Sequence, residues 1–68
     1  MSANEPCADC IVAACCEALH VCLQADLLAC TSCLDCQLDP AACWACDPAA
    51  GDNQTLIDCV SQRCGGVC

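Results

Sequence analysis

Thirteen of the 68 residues are cysteine, and that fact limits what the chain can become. A domain this short buries too little surface to hold together comfortably by packing alone. Its Leu, Ile and Val residues together only equal the cysteines in number, and Trp44 is the sole aromatic. Twelve alanines favour helix but fill little volume. The hydrophobic fraction of 59% therefore overstates the core, because cysteine makes up a third of it. Cross-links or metal must supply what packing cannot. In an exported chain this density reads as a disulfide scaffold. In a reducing cytosol the same count points to metal–thiolate chemistry.

The densest stretch is Cys7 to Cys22, CADCIVAACCEALHVC, with the doublet Cys15-Cys16 near its centre. Placed on one helix over 7–24, Cys7, Cys10, Ile11, Val12, Ala14, Cys15, Ala18, Leu19, Cys22 and Leu23 share a broad arc. Asp9, Glu17, His20 and Gln24 occupy the remainder, so the segment is an amphipathic helix with a sulfur-lined buried face. Cys16 falls about 100° from Cys15, at the border with the polar side. A bridge between the two would need the helix broken locally. The expected arrangement bonds them to different neighbouring segments, with this helix as the central post.

Residues 1–6 read as a polar lead-in, and residues 7–68 as one cysteine-rich domain. A second helix is expected from Asp26, as N-cap, to about Gln37, with Cys30, Cys33 and Cys36 spread over about 120° of one face. The clearest local signal follows: Asp39 as N-cap, Pro40 at the first helical position, then AACWAC, stopped by Asp47-Pro48. Cys43 and Cys46 share a face there, with Trp44 beside them; Trp44, Leu34 and Leu38 are read as core or an interface patch, with core favoured for Trp44. Residues 47–54 form a loop, and a last helix runs from about Asn53 or Thr55 to Arg63, ended by Gly65-Gly66. Arg63 lies in its last turn, where a cation suits the helix dipole. Cys59 and Cys64 belong to that helix and Cys68 to the tail. No alternating β-branched run of strand length occurs. The fold class is all-α: three to four short helices in a disulfide-stapled domain with little apolar core. Cys-x-x-Cys recurs at 7–10, 30–33, 33–36 and 43–46, and such pairs can clamp helices side by side.

The order Cys7-x-x-Cys10, Cys15-Cys16 and Cys22, then the helix carrying Cys30 and Cys33, resembles small cysteine-rich exported proteins and lipoproteins of myxobacteria and related bacteria. The closing pattern also resembles them: Cys43-x-x-Cys46, a loop with Pro48 and Gly51, then Leu56, Cys59, Cys64 and Cys68. The resemblance spans nearly the whole chain and implies export and disulfide bonding, but no activity. Cys36 makes the count odd and departs from an even pattern, and no lipobox precedes Cys7.

The formal charge of −8, with Arg63 the only Lys or Arg, argues against nucleic acid and anionic membrane surfaces. No apolar run of transmembrane length exists. MSANEP lacks the regions of a signal peptide, and the chain is read as the mature form of a secreted, periplasmic or cell-surface protein. His20 and Arg63 are the only groups that could activate a cysteine nucleophile, and neither stands in a motif that does so. The protein is not read as an enzyme, and no cofactor is expected.

The rival reading is metal. Cys16 and His20 are four apart, and the Cys-x-x-Cys pairs have thiolate spacing for Zn or Cu(I). Such a bundle would resemble the bacterial copper storage proteins. Many cations would be needed to offset thirteen thiolates added to −8. Asp47 and Asp52 could hold Ca²⁺ only loosely, since no calcium-loop spacing is present. The favoured function is a non-catalytic, disulfide-rich exported module, structural or interacting. Its partner is a second copy or another extracellular protein, and an acidic surface suits cationic partners. Thirteen cysteines leave at least one sulfur over for a free thiol or an interchain link, with Cys16 and Cys36 the candidates.

Overall fold

A computed structural model describes residues 5–68. Four α-helices, α1 (Glu5–Ala14), α2 (Cys16–Ala25), α3 (Leu27–Leu38) and α4 (Asn53–Cys64), are joined by a 3-10 helix over Pro40–Ala45. Among the described residues there is no strand.

The opening segment is not one helix. It breaks at Cys15, whose φ −121° and ψ 24° leave the helical region, and α2 turns 90° from α1. The reason is size. A straight helix over residues 5–25 would be about 31 Å long, while the longest dimension of the molecule is 25 Å. Bending lets the continuous apolar arc wrap a core instead of overshooting it. Cys15 lies at the vertex, fully buried, and keeps its amide on the Ile11 carbonyl at 2.8 Å. Val12, on the same arc by spacing, falls on the outside of the bend and is exposed. No single helix is long and apolar enough to cross a membrane.

The opening segment is not the central post: α3 touches every other element, and the longest buried stripe described is on α4. Asn53, Leu56, Val60 and Cys64 recur at helical spacing along one stripe, all fully buried, and α4 packs against α1, α2 and α3. Only Ile11, Leu56 and Val60 join six cysteines as the fully buried apolar residues described, so the centre of the molecule is largely sulfur.

The helix starts obey local chemistry. The Asp26 carboxylate accepts from the Ala29 amide at 3.1 Å, and Asp39 accepts from Ala41 at 3.0 Å, with Pro40 following it. Each supplies an acceptor to a first-turn N–H that has no partner within the helix. After Pro40 the chain takes 3-10 rather than α geometry, and both its remaining cysteines are tied back to α3. Arg63 does lie in the last turn of α4, which ends at Cys64. The left-handed glycine is Gly51 (φ 50°), whose missing Cβ would stand 3.4 Å from the Ala25 Cβ. It lets the 47–52 loop pass close against the α2–α3 junction.

Candidate functional site

Six bridges engage twelve cysteines: Cys7–Cys68, Cys10–Cys64, Cys15–Cys59, Cys22–Cys30, Cys33–Cys46 and Cys36–Cys43. The pair Cys7 and Cys10 clamps α1 to the end of α4 and the tail. Cys33 and Cys36 clamp α3 to the 3-10 helix and its cap, whose Cys43 and Cys46 answer them in antiparallel order. Cys30 and Cys33 do not act as a pair. Cys30 faces α2 and Cys33 the 3-10 helix, so the cysteine arc of α3 serves two neighbours.

Cys36 is therefore not a leftover sulfur. The far edge of that arc is the side onto which the Asp39-Pro40 turn folds the chain, bringing the Cys36 and Cys43 Cα atoms to 4.3 Å. The remaining thiol is Cys16, exposed at the first residue of α2. Cys15 and Cys16 are thus not both bonded to neighbours: Cys15 turns inward to Cys59, and Cys16 faces solvent. Val12 and Ala13, just before the bend, are exposed as well.

His20 lies one turn along α2 from Cys16 and is exposed. Among the described residues no hydrogen bond joins it to the thiol, and no group of three or more His, Cys, Asp or Glu side chains is placed to hold a metal ion. A sulfur committed to a bridge is not a thiolate ligand. In this oxidised fold the Cys-x-x-Cys pairs are therefore spent on cross-links.

Beside the bend, a groove of about 430 Å³ is lined by Ala14, Ala18, Val21, Thr55, Glu17 and Arg63, with the Cys15–Cys59 bridge in its wall. It opens broadly to solvent. Cys16 is not among its walls, falling about 160° round α2 from Ala18. The free thiol and the groove therefore do not combine into a nucleophile with a binding cleft.

One residue stands far from its expected role, and another does more than was expected of it. Trp44 is not in the core: it is 88% exposed. The 3-10 helix carries no buried residue, because its cysteines on the α3 side already fill the contact and Trp44 points the other way. Asn53 opens α4 as one of the two starts expected by sequence, and among the described residues it is also the one buried polar side chain. Its amide nitrogen donates to the Asp47 carbonyl at 2.8 Å, to the Ala29 carbonyl at 3.3 Å and to Cys33 Sγ at 3.4 Å. Its oxygen stands 3.3 Å from Cys22 Sγ, a contact rather than a hydrogen bond since that bridged sulfur has no proton. Asn53 so ties the loop to α3 and two bridges. Its only sequence signal was a polar residue opening an otherwise apolar stripe.

Compared with known protein families, curated proteins and solved structures, the chain matches none.

Proposed function

We propose that the protein is a non-catalytic, exported module that acts through its surface and assembles through Cys16 into a disulfide-linked pair. The carrying observation is the pairing pattern: twelve sulfurs are used internally and the thirteenth is held outside the fold. Six bridges in so small a chain are consistent with an oxidising compartment. The resemblance in cysteine order to small exported proteins of myxobacteria and related bacteria supports the same reading. The exposed apolar Val12 and Ala13 beside Cys16 give a second copy something to cover. No cofactor and no reaction are assigned. The link forms when two Cys16 thiols lose two protons and two electrons to a disulfide-type oxidant of the compartment.

Non-reducing intact mass with alkylation tests this. Monomer isolated without reductant should weigh twelve hydrogens less than the reduced form, from the six bridges, and the linked pair one hydrogen less again per chain. The protein should take one alkyl group at Cys16 as monomer, or none as a dimer that reductant splits, and C16S should stay monomeric. Ten or more alkylatable thiols in such protein would overturn the reading in favour of metal, as would stoichiometric Cu(I) or Zn uptake. A wild-type chain that never dimerises under a disulfide oxidant would remove the assembly claim.

A further inference from the structure

The sole aromatic side chain sits on a short segment braced at both ends by disulfides to α3. Trp44 lies within the 3-10 helix Pro40–Ala45, directly after Cys43 and two residues before Cys46, both bonded to α3. The turn is also fixed by its cap: the Asp39 carboxylate holds the Ala41 amide at 3.0 Å, and the Asp39 carbonyl accepts from Ala42 at 2.9 Å. The Cys46 amide closes the other end on the Cys43 carbonyl at 3.1 Å. A large apolar ring is thus displayed outward, 88% exposed, on backbone that has little freedom left to lose. A core role would have turned it inward. Rigid display of Trp is instead the property of a binding anchor, because little entropy is lost when a partner covers it.

Charge says what covers it. Asp39 precedes the turn, Asp47 follows it by one residue beyond Cys46, and Asp35 lies next to Cys36 across the bridge; all three are exposed. The 4.3 Å Cα separation of Cys36 and Cys43 and the chain spacing put all three Cα atoms within about 12 Å of that of Trp44. The chain as a whole carries −8. An anionic lipid surface or an acidic partner would be repelled from this ring. A guanidinium or ammonium would be drawn to it, stacking on the indole while the carboxylates screen its charge.

We propose that Trp44 is the anchor of a docking surface for a basic segment of a partner protein, with an Arg or Lys side chain seated on the indole in the negative field of Asp35, Asp39 and Asp47. This rests on the reading of the chain as an interaction module, and it names the surface and the partner's chemistry. The contact is independent of Cys16.

The test uses the oxidised full chain and, in parallel, C16S, so that loss of dimerisation and loss of docking are read separately. Trp44 is the only tryptophan, so its emission reports the site directly. Titration with a decapeptide of alternating Arg and Gly should give a saturable change in emission, and the Glu-Gly counterpart none. Calorimetry should show W44L binding the Arg peptide about twofold to thirtyfold more weakly and W44F retaining most of the affinity. Raising the salt to about 1 M, where screening acts over about 3 Å, should weaken it further. The triple variant D35N/D39N/D47N, whose amides still accept the capping hydrogen bonds, should lose affinity and much of that salt dependence. Equal affinity of W44L and the natural chain would overturn the proposal, since general acidity alone would then explain binding. So would a larger emission change with phosphatidylcholine vesicles than with the peptide, or no saturable change at all.

Discussion

The clamp that joins α1 to α4 and the hairpin that joins α3 to the 3-10 helix are both stapled by disulfides, yet they solve different problems. The clamp bridges, Cys7–Cys68, Cys10–Cys64 and Cys15–Cys59, span 61, 54 and 44 residues of sequence. Cys33–Cys46 and Cys36–Cys43 in the hairpin span 13 and 7. Restriction of the unfolded chain grows with the loop closed, giving about 4 kcal/mol for the long spans and about 2.5 kcal/mol for the short ones, each bridge taken alone. The hairpin has local chemistry in its favour as well, with Asp26 and Asp39 capping successive helices. The clamp holds the three fully buried aliphatic residues described, Ile11, Leu56 and Val60, whereas the 3-10 helix of the hairpin buries none. In this molecule the long bridges lock together the elements that form the core, and the hairpin, where packing is thinnest, depends on short bridges and helix caps.

The comparison breaks most completely if all the bridges are removed. Full reduction at neutral pH should abolish the cooperative thermal transition, because six bridges of this size together exceed the whole stability of an ordinary domain. Retention of the same melting temperature by reduced protein, followed by circular dichroism, would show that packing holds more than the three aliphatic residues suggest.

A sharper version compares single bridges. C15S/C59S should lose about 4 kcal/mol and C36S/C43S about 2.5 kcal/mol in denaturant unfolding monitored by circular dichroism. The order matters more than the values. If the hairpin variant were the less stable, the short bridges would be maintaining native geometry rather than restricting the unfolded chain.

The smallest effect falls where the two regions meet. Asn53, on α4, donates to the Ala29 carbonyl of α3 and to the Asp47 carbonyl of the loop. Asn53→Ala leaves those part-buried acceptors without that donor and should lower stability by about 1 kcal/mol. It should do so without freeing a thiol, which alkylation with mass analysis checks. A neutral result would mean that water replaces the amide and that the loop is not held by this side chain.

What was legible in the chain, and what was not, follows the same division. Helix starts at Asp26 and Asp39, the end of α4 near Arg63 and the all-helical class depend on neighbours within a few residues, and their chemistry is written locally. Density of cysteine, set against so few aliphatic residues, already required cross-links. Pairing is different in kind. A bridge from Cys7 to Cys68 depends on where two helices end up in space, and spacing along one helix cannot say which neighbour faces it. For the same reason an apolar arc continuous over residues 7–24 did not reveal that the helix bends at Cys15, because only the size of the finished domain makes a straight one too long. Trp44 turned outward because cysteine already occupied the inner side of its turn, and Cys36 was paired because the Asp39-Pro40 turn folds back onto that edge of α3. Local sequence determined the helices and the need for sulfur. The three-dimensional packing alone decided which sulfurs meet, that the longest buried stripe belongs to α4, and that Cys16 and Trp44 face the outside.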